Sequence, residues 1–449
     1  MTYQITDFGA VADGKTNNQK AIQAALDACA GTGGRVVIPA GNYLSGSLRI
    51  YSHTQLELEA GAALIASHRQ EDMIDFAEED SGKASDGMDG AKDGCFLYAC
   101  HAEDITICGQ GRIDGGGRNV YFDDDSDGGF HEAPLAVKGF RPRTTYLEDV
   151  DRLTVQGITF YDSCFWTLHM AGCRNVLVEG IRILNDDRGP NNDGIDPDGC
   201  QNVIIRDCIV STGDDAIVLK ATRPVAAKYG NCENVTISGC VLHSRDSALK
   251  IGTETWGDIR DIVFSDCVVD RCSRAVGIWV RDGGCVERVS IHHISGTTRR
   301  YAEYLRNGKP TGWWGKGEAL FMSAVRRDGV NRDPGTIRRI KADHLELDTE
   351  LGYFLAADED GAIRDISIRE SGLCLRRQSA HTPEYYDEQP SAYGVYPHDL
   401  SWLYARGVAG LEVDGRICLD AFMAEHISSE PTLINCRNTL LSIRNQQTV

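Results

Sequence analysis

The sequence lacks the features that mark a membrane protein or a secreted protein. It has no continuous apolar run of about 18 residues, the length that a membrane-spanning helix requires. Its first residues, MTYQITDFGAVADG, contain no charged segment followed by an apolar core, which is the pattern of a secretory leader. We therefore expect a cytoplasmic protein. The alternative is a secreted protein whose leader has been removed.

Close cysteine pairs and an excess of basic residues are also missing. None of the 16 cysteines forms a Cys-x-x-Cys pair, so we expect no zinc site, and in the cytosol the thiols should stay reduced. Lys and Arg number 46 against 66 Asp and Glu, which gives a formal net charge of -20. Such a surface argues against nucleic acid and anionic membranes as partners, because both need a basic face. An acidic substrate in a local basic pocket remains compatible with it.

Short segments of similar sequence recur along the chain. RNVLVEGIRI, QNVIIRDCIV, ENVTISGCVL, RDIVFSDCVV and ERVSIHHISG begin at residues 174, 201, 233, 260 and 287. Each segment alternates apolar and polar residues, which is the period of a β-strand. A repeat of about this length made of short strands indicates a solenoid, and the leucine ladder of leucine-rich repeats is absent. We therefore predict an all-β chain folded as a parallel β-helix, with Cys208, Cys240 and Cys267 stacked in its interior as small buried apolar residues.

One segment near the start, TNNQKAIQAALDACAGTGG, has helical periodicity instead. The apolar residues that share one face of this helix are Ile22, Ala25, Leu26 and Cys29. Thr16 with Gln19 resembles a capping box, and Gly31 is a natural stop. A solenoid needs its open end covered, so we predict an N-terminal capping helix. No linker rich in Pro or Ser divides the chain, which predicts a single domain over residues 1–449.

Three acidic residues stand among glycines just before apolar strands. Asp193 lies in NNDGIDPDGC, and Asp214 and Asp215 lie in TGDDAIVLK. Asp193 and Asp214 are 21 residues apart, close to one coil, and adjacent strands lie about 4.8 Å apart, so these residues can face one cleft. Like charges so placed cannot all ionise freely, and one pKa should rise. A raised acid beside ionised carboxylates suits glycosidic bond cleavage, whereas the alternative is a set of solvated turn residues.

These motifs resemble the polygalacturonase family of glycoside hydrolases, family 28, whose fold is a right-handed parallel β-helix. DFGAVADGKTNNQKAIQAALDAC and RPRTTYLEDVDRLTVQGITF resemble it as well, so that the resemblance covers most of the chain. The resemblance implies inversion at the anomeric carbon, without a metal or other cofactor. By motif position it implies that Asp214 is the general acid and that Asp193 and Asp215 hold and deprotonate the attacking water. Asn191 would orient the acids.

The sequence departs from this family where the family binds a uronate. The Gly-His-Gly motif is replaced by DSALKIG, with Ser247 at the histidine position. The family's Arg-Ile-Lys, which binds a galacturonate carboxylate, aligns with Gly277, Ile278 and Trp279, so both cations are missing. Trp279 suggests a sugar ring stacked on an aromatic face. Arg281, two positions later, is a possible replacement for the lost cation.

Five more residues are candidates for substrate binding. His169 and Trp166, in the segment FWTLHM, precede the first acid by about one coil. Lys220 and Lys250 end or begin strand segments and would bind an acidic or hydroxyl group. Glu254 is either a replacement acid or a loop residue. For each of them a purely structural role is the alternative.

The stretch DDDSDG imitates the start of a calcium-binding loop. Asp123, Asp125, Asp127 and Gly128 match that loop, but Pro134 stands where its bidentate glutamate should be. We therefore expect an acidic surface loop and no metal site.

The sequence thus predicts an inverting glycoside hydrolase that acts on pectin-related oligosaccharides and is not selective for plain polygalacturonate. An exo mode is expected because imported oligosaccharides are short and because the long acidic loop Glu71–Asp93 would close one end of the cleft. Three alternatives remain: an exo-galacturonidase with a rebuilt cation site, a β-helix polysaccharide lyase or epimerase, and a non-catalytic carbohydrate binder. The sequence does not indicate an oligomeric state.

Overall fold

The computed structural model of the chain describes residues 1–74, 94–301, 305–306, 309–310 and 312–445. Most of the predicted loop Glu71–Asp93 lies outside these residues. The chain forms two compact units. The first consists of Met1–Asp124, Leu135–Gly213 and Thr222–Val235, and the second of Asp125–Pro134, Asp214–Ala221 and Thr236–Val449. The single domain stays a prediction. Within the described residues no helix has the length and apolar character needed to cross a membrane.

Strands are the main secondary-structure elements of both units. In the first half of the chain they are Thr2–Gln4, Asp13–Asn17, Gly34–Ile38, Gly41–Ser45, Leu48–Arg49, Thr54–Leu58, Ala62–Ala66, Cys95–Gly109, Arg112–Asp114, Tyr121–Phe122, Ala136–Val137, Arg143–Gln156, Thr159–Tyr161, Leu168–Ala171, Arg174–Glu179, Arg182–Leu184, Ile195–Asp198, Gln201–Arg206, Ile209–Thr212 and Ile217–Ala221. In the second half they are Cys232–Ser238, Val241–Ser244, Ser247–Thr255, Ile259–Ser265, Val268–Cys272, Arg274–Val280, Cys285–Thr298, Leu305–Arg306, Lys309–Pro310, Glu318–Ala324, Thr336–Thr349, Leu351–Ala357, Ile363–Leu375, Tyr385–Asp387, Val395–Pro397, Leu400–Ser401, Leu403–Arg406, Val408–Leu419, Ile427–Ser428, Thr432–Ile434 and Arg437–Asn445.

The repeats found in the sequence pair side by side in parallel. In the first unit the repeat starts at Glu103, Asp151, Arg174 and Gln201 are register partners of one another in turn. One buried residue from each strand then stacks on the next, and the residues of this column are Val36, Leu56, Ile107, Val155, Val178 and Ile205. In the second unit an equivalent column is formed by Phe264, Ile291, Ala342, Ile368 and Val413. The parallel β-helix is thereby confirmed.

Residues in the left-handed conformation occur near the start of three successive repeat strands. Asn175, Asn202 and Asn234 have φ of 56°, 57° and 60°, a region that asparagine tolerates better than most residues. The side-chain amide of Asn202 donates to Asn175 Oδ1 at 3.1 Å, and that of Asn234 donates to Asn202 Oδ1 at 3.1 Å. This asparagine ladder links the starts of three successive strands in the first unit.

The predicted N-terminal helix, α1, spans Gln19–Ala30 and is followed by Gly31. Its predicted face is correct, since Ile22, Ala25, Leu26 and Cys29 are all buried. The predicted capping box is wrong. The N-cap is Asn18, the hydroxyl of Thr16 donates to Asp13, and the side chain of Gln19 donates to the carbonyl of Ser47. The described residues contain two further α-helices, α2 (Arg223–Tyr229) and α3 (Ala421–Ala424), and three short 3-10 helices, Ile5–Phe8, Gln70–Asp72 and Gly117–Asn119.

The cysteines are free thiols. Cys208, Cys240 and Cys267 are buried, as predicted for interior residues. Cys240 and Cys267 of the second unit are hydrogen-bonded to each other, which lowers the pKa of Cys267. A second column, Cys173 with Cys200, lies in the core of the first unit. The positions support packing of small thiols in the interior.

Candidate active site

The chain around Asp193 is held by two buried asparagines. Asn185 donates to the carbonyl of Asn192 and to the Thr167 hydroxyl, both at 2.8 Å. Asn192 donates to the carbonyl of Asp186 at 2.7 Å, and its Oδ1 accepts from the amide of Gly213 at 2.8 Å. Asp193 itself is 2% exposed. This segment of the first unit therefore presents a buried carboxylate from a firmly bonded turn.

Asn191, the residue predicted to orient the acids, lies at the edge of this turn. It has a φ of 56°, and its Oδ1 accepts from the guanidinium of Arg141 at 3.2 Å. Its neighbour Asn192, which the sequence reasoning did not single out, is the asparagine that makes the bonds within the turn. Asn191 and Asn192 both precede Asp193. The motif position therefore identified the segment, but it singled out Asn191 and not Asn192, which makes the bonds within the turn.

His169 and Trp166 pack against each other in the first unit. Their rings meet edge to face at 4.8 Å, and both side chains are almost fully buried. His169 Nε2 lies 3.4 Å from the Asp198 carboxylate, and its ring packs on Tyr146 at 5.1 Å. The guanidinium of Arg143 lies 5.5 Å from the Trp166 ring. In this conformation both side chains are packed against neighbouring residues and are not accessible to a ligand.

Asp214 and Asp215 stand together at the start of the strand Ile217–Ala221 in the second unit. The amide of Asp215 donates to Asp214 Oδ1 at 2.9 Å, and the hydroxyl of Ser244 donates to the carbonyl of Asp214 at 2.7 Å. Asp214 is partly exposed, whereas Asp215 is buried. Burial raises the pKa of Asp215 to about 7, against the opposing charge of Lys250. The pair thus offers one accessible carboxyl group and one in a dry, charged environment.

Lys250 and Ser247 both contact Asp215. Lys250 Nζ lies 2.6 Å from Asp215 Oδ2, and the amide of Ser247 donates to Asp215 Oδ1 at 3.3 Å. Burial lowers the pKa of Lys250, but the carboxylates of Asp215 and Asp246 outweigh burial and raise it above its ordinary value. Lys250 therefore remains a cation, and it is engaged by a protein carboxylate.

Lys220, the other candidate lysine, pairs with Glu254. The Nζ of Lys220 lies 3.8 Å from a Glu254 carboxylate oxygen, and Arg327 lies 4.0 Å from the other oxygen. Burial raises the pKa of Glu254, but Lys220 and Arg327 outweigh it and lower the pKa below its ordinary value. Glu254 is thus an ionised partner of two cations, which argues against its acting as a protonated replacement acid.

Trp279 lies in the strand Arg274–Val280 and Arg281 directly follows it. Both side chains are buried. The Trp279 ring stacks on Phe321 at 4.7 Å and lies within 4.9 Å of the charged groups of Lys250 and Arg274. It is 1% exposed, which is too little to stack on a sugar in this conformation. Arg281 donates to the carbonyls of Pro390, Ser323 and Glu388, and burial lowers its pKa to about 9. Its guanidinium binds backbone rather than an open site.

In the stretch that resembles the start of a calcium-binding loop, the carboxylate of Asp127 stabilises a turn. Asp127 accepts hydrogen bonds from the amides of Gly129, Glu132 and Ala133. These bonds outweigh the opposing effect of burial and lower the pKa of Asp127 to about 2. Its carboxylate oxygens are therefore committed to backbone amides.

Two further charged residues of the second unit, Asp246 and Arg274, lie near Asp215 and Lys250. The sequence analysis did not identify them as candidates. Asp246 lies beside Ser247, whose hydroxyl donates to Asp246 Oδ1 at 3.1 Å. Arg274 donates to the same Asp246 oxygen at 3.0 Å. Asp246 and Arg274 are 28 residues apart, close to one repeat, so the spacing carried a signal. Together with Asp215 and Lys250 they place two acids and two cations in a dry region, an arrangement that suits proton transfer by a held carboxylate.

Comparisons with known proteins identify the family of the chain. The Glycosyl hydrolases family 28 profile matches residues 34–295. The chain is 29% identical over 312 residues to a probable polygalacturonase of Vitis vinifera, an alignment that covers 67% of this chain and 62% of that protein. An exopolygalacturonase structure from Yersinia enterocolitica has a TM-score of 0.67 at 19% identity and covers 98% of this chain and 78% of that one. An exopolygalacturonase structure from Thermotoga maritima has a TM-score of 0.65 at 20% identity and covers 83% and 87%. The two structures bear on the fold alone, whereas the family match spans more than half of the sequence and all three predicted acids: the chain belongs to the glycosyl hydrolases of family 28.

Proposed function

We propose that the protein is an inverting, exo-acting glycoside hydrolase of pectin-related oligosaccharides. The observation that carries the proposal is the pair of adjacent carboxyl groups in the second unit, one partly exposed and one buried against Lys250 at 2.6 Å, in a chain of family 28. Hydrolysis of a glycosidic bond needs a proton donor and an ionised carboxylate for the water, and this pair supplies two different environments for them.

In this proposal Asp214 donates the proton to the leaving oxygen, because its side chain is the more accessible of the pair. Asp215 takes a proton from the attacking water, with its two oxygens fixed by Lys250 and by the Ser247 amide. For Asp193, in the first unit, the proposed role is likewise to hold and deprotonate water. Its support is its position in the family match and the bonded turn that carries it.

The exo mode and the preference for substrates other than plain polygalacturonate also belong to this proposal. A relative from Zea mays that is 25% identical over 224 residues is an exopolygalacturonase, which supports an exo mode. Among the described residues, the cations that would grip a uronate already have protein partners: Lys250 with Asp215, Lys220 with Glu254 and Arg281 with backbone carbonyls. A uronate would have to displace one of them, which favours a less acidic sugar.

One observation favours a second candidate, an exo-galacturonidase. The Lys220–Glu254 contact is long, at 3.8 Å, and Glu254 also faces Arg327. A substrate carboxylate arriving near Lys220 would compete with a weak ion pair rather than a tight one. This would rebuild the cation site at Lys220 instead of at Arg281.

The experiment is a reducing-end assay on a panel of pectin-derived oligosaccharides, with absorbance of unsaturated uronate followed in the same samples. Hydrolysis produces reducing ends without the unsaturated product, and we expect this result, with release of one terminal sugar or a short unit at a time. Both signals together would identify a lyase. Binding without either signal would identify a carbohydrate binder, and either outcome would overturn the proposal.

The finer points of the fold belong to the proposal as well. We infer a right-handed coil in a single domain, with α1 covering its N-terminal end. Family membership supports the hand, and the buried face of α1 supports the cap. Scanning calorimetry of the whole chain tests the single domain, for which one cooperative transition is expected. Two separable transitions would contradict it.

A further inference from the structure

Where the resembling family carries a histidine, this chain has Ser247 and, around it, a buried set of four charged side chains. The members of this charge set are Asp215, Lys250, Asp246 and Arg274. Each of them is at most 6% exposed. Charges in such a place are costly unless they are paired, because desolvation must be offset by close partners. Pairing among these four side chains, one of which belongs to the proposed acid pair, therefore offsets part of the cost of burying them.

Electrostatic interactions connect Glu318, outside the charge set, through Arg274 and Asp246 to Lys250 and finally to Asp215. Glu318 lies 3.4 Å from Arg274 Nε, and Arg274 donates to Asp246 at 3.0 Å. Lys250 is raised in pKa by Asp215 and Asp246 together, so it is shared electrostatically between the two acids. Lys250 then contacts Asp215 at 2.6 Å. The register explains this proximity, since Ser247 is paired directly with Arg274 in neighbouring strands.

Trp279 fixes the two cations of the set. Lys250 Nζ lies 4.9 Å from its ring centroid and the Arg274 guanidinium 4.8 Å, within the range of cation–π attraction. Phe321 stacks on the same ring at 4.7 Å. The tryptophan that replaces a family cation in the sequence therefore serves in this structure to hold two other cations in place.

We propose that Lys250 is the positioning residue of the water-activating Asp215, in place of the family's histidine, and that Asp246 and Arg274 hold Lys250 for this task. The inference rests on the proposed hydrolytic function. Lys250 holds one oxygen of Asp215 and the Ser247 amide holds the other, so the carboxylate has a fixed orientation. The charge of Lys250 opposes the effect of burial and favours the ionised form of Asp215, which accepts the proton of the water. No covalent step involves Lys250.

The charges that face Asp215 determine the direction in which each substitution shifts its pKa. In the second unit these are the cations Lys250 and Lys220, which lower its pKa, and the acids Asp246 and Asp214, which raise it together with burial. Removal of Lys250 should therefore raise the Asp215 pKa, and removal of the Asp246 charge should lower it. A purely structural role would not shift the pKa in opposite directions for the two changes.

The test is the pH profile of kcat/KM for the full-length chain on the pectin oligosaccharide that the wild type hydrolyses fastest. Lys250→Met should move the acid limb to higher pH by about one pKa unit or more, and Asp246→Asn should move it to lower pH. Lys250→Arg, which keeps the charge, should move it less than Lys250→Met. Lys341→Met, at an exposed lysine of the same unit, should leave the profile unchanged. The inference would be overturned if the acid limb did not move in Lys250→Met and Asp246→Asn, or if it moved in the same direction in both variants.

A second measurement separates this inference from the proposed function. The difference in Tm between wild type and Asp215→Asn reports the titration of Asp215 without turnover. Because the folded pKa of about 7 is raised above the ordinary value, the stabilising contribution of Asp215 is present at low pH and is lost as pH rises through about 7. In the Lys250→Met background this loss should occur at higher pH. If the loss occurs at the same pH in both backgrounds, Lys250 does not act on Asp215, whether or not the protein is a hydrolase.

Discussion

The Nζ atom of Lys250 lies 2.6 Å from a carboxylate oxygen of Asp215, and both side chains are buried. From the sequence, Lys250 was a candidate for gripping substrate, because it begins a strand segment next to the predicted cleft. In the structure its charge is used within the protein. This contact links the proposed water-activating carboxylate to two departures from the family pattern. Ser247, at the histidine position, donates its amide to Asp215, and Trp279, at the position of a missing cation, packs against Lys250.

The first prediction concerns the proposed proton donor. Asp214→Asn should lower kcat by about 10²- to 10⁴-fold on an oligosaccharide, because the amide cannot supply a proton to the leaving oxygen. Asp207→Asn is the matched control, since it makes the same chemical change at an exposed acid and should keep full activity. Circular dichroism and Tm should be unchanged in both variants. Near wild-type turnover of Asp214→Asn would show that another group donates the proton.

The second prediction is the stereochemistry of the first product. An inverting enzyme admits water between carboxyl groups about 6.5–9.5 Å apart, so the sugar is released with the opposite anomeric configuration. Proton NMR in the first minutes of turnover should show the inverted anomer before mutarotation sets in. A boiled-enzyme sample gives the mutarotation blank. Initial release of the retained anomer would rule out direct attack by water.

The arrangement of the coils could be predicted from the sequence, because equivalent positions of a solenoid repeat at a fixed spacing. The repeat starts Arg174 and Gln201 are register partners, and so are Arg260 and Glu287. The helical face of α1 was equally readable, since its period of apolar residues differs from that of the strands. Both results follow from patterns that local chemistry imposes on the sequence.

The ion pairs of the site could not be predicted in the same way. Periodicity assigns a residue to a face of a strand but not to a partner, and the partner of Lys250 depends on side-chain conformations in a buried space. Glu318 follows a long insertion between the strands Cys285–Thr298 and Glu318–Ala324, which breaks the repeat spacing. Trp279 shows the consequence: its sequence position suggested an open sugar platform, whereas neighbouring side chains bury it.

The third prediction concerns the asparagine ladder, for which the sequence did carry a signal. Asparagine is the second residue of three repeats, at positions 175, 202 and 234. Asn202→Ala should destabilise the fold by about 1–2 kcal/mol, because alanine disfavours the left-handed conformation. It also loses both side-chain bonds of the ladder.

Urea denaturation of the Asn202 variants measures the two contributions separately. Asn202→Gly tolerates the positive φ but loses the same bonds, so its midpoint should lie between those of wild type and Asn202→Ala. Lys20→Ala, at an exposed position of α1, is the control for a surface change in the same unit. Equal midpoints for the glycine and alanine variants would show that the backbone conformation of residue 202 contributes nothing to stability.

The fourth prediction is the substrate preference. Among the described residues, Lys250, Lys220 and Arg281 are each engaged by protein oxygens, so a galacturonate carboxylate must compete for a cation or enter without one. A buried carboxylate without a charged partner carries a desolvation cost that neutral hydrogen bonds recover only in part. We therefore expect faster cleavage of neutral or rhamnose-containing oligosaccharides than of galacturonate oligomers.

A single substitution turns this preference into a directional test. Glu254→Gln removes the carboxylate that faces Lys220 and leaves the lysine available for a uronate, and a charge-assisted hydrogen bond contributes about 1.5–3 kcal/mol. The ratio of kcat/KM for galacturonate oligomers to that for neutral oligomers should therefore rise about tenfold or more in this variant. Glu425→Gln, at an exposed glutamate, should leave the ratio unchanged. If the wild type already prefers galacturonate oligomers and Glu254→Gln leaves the ratio unchanged, then a cation other than Lys220 binds the uronate, and the enzyme is a galacturonidase with its cation site rebuilt elsewhere.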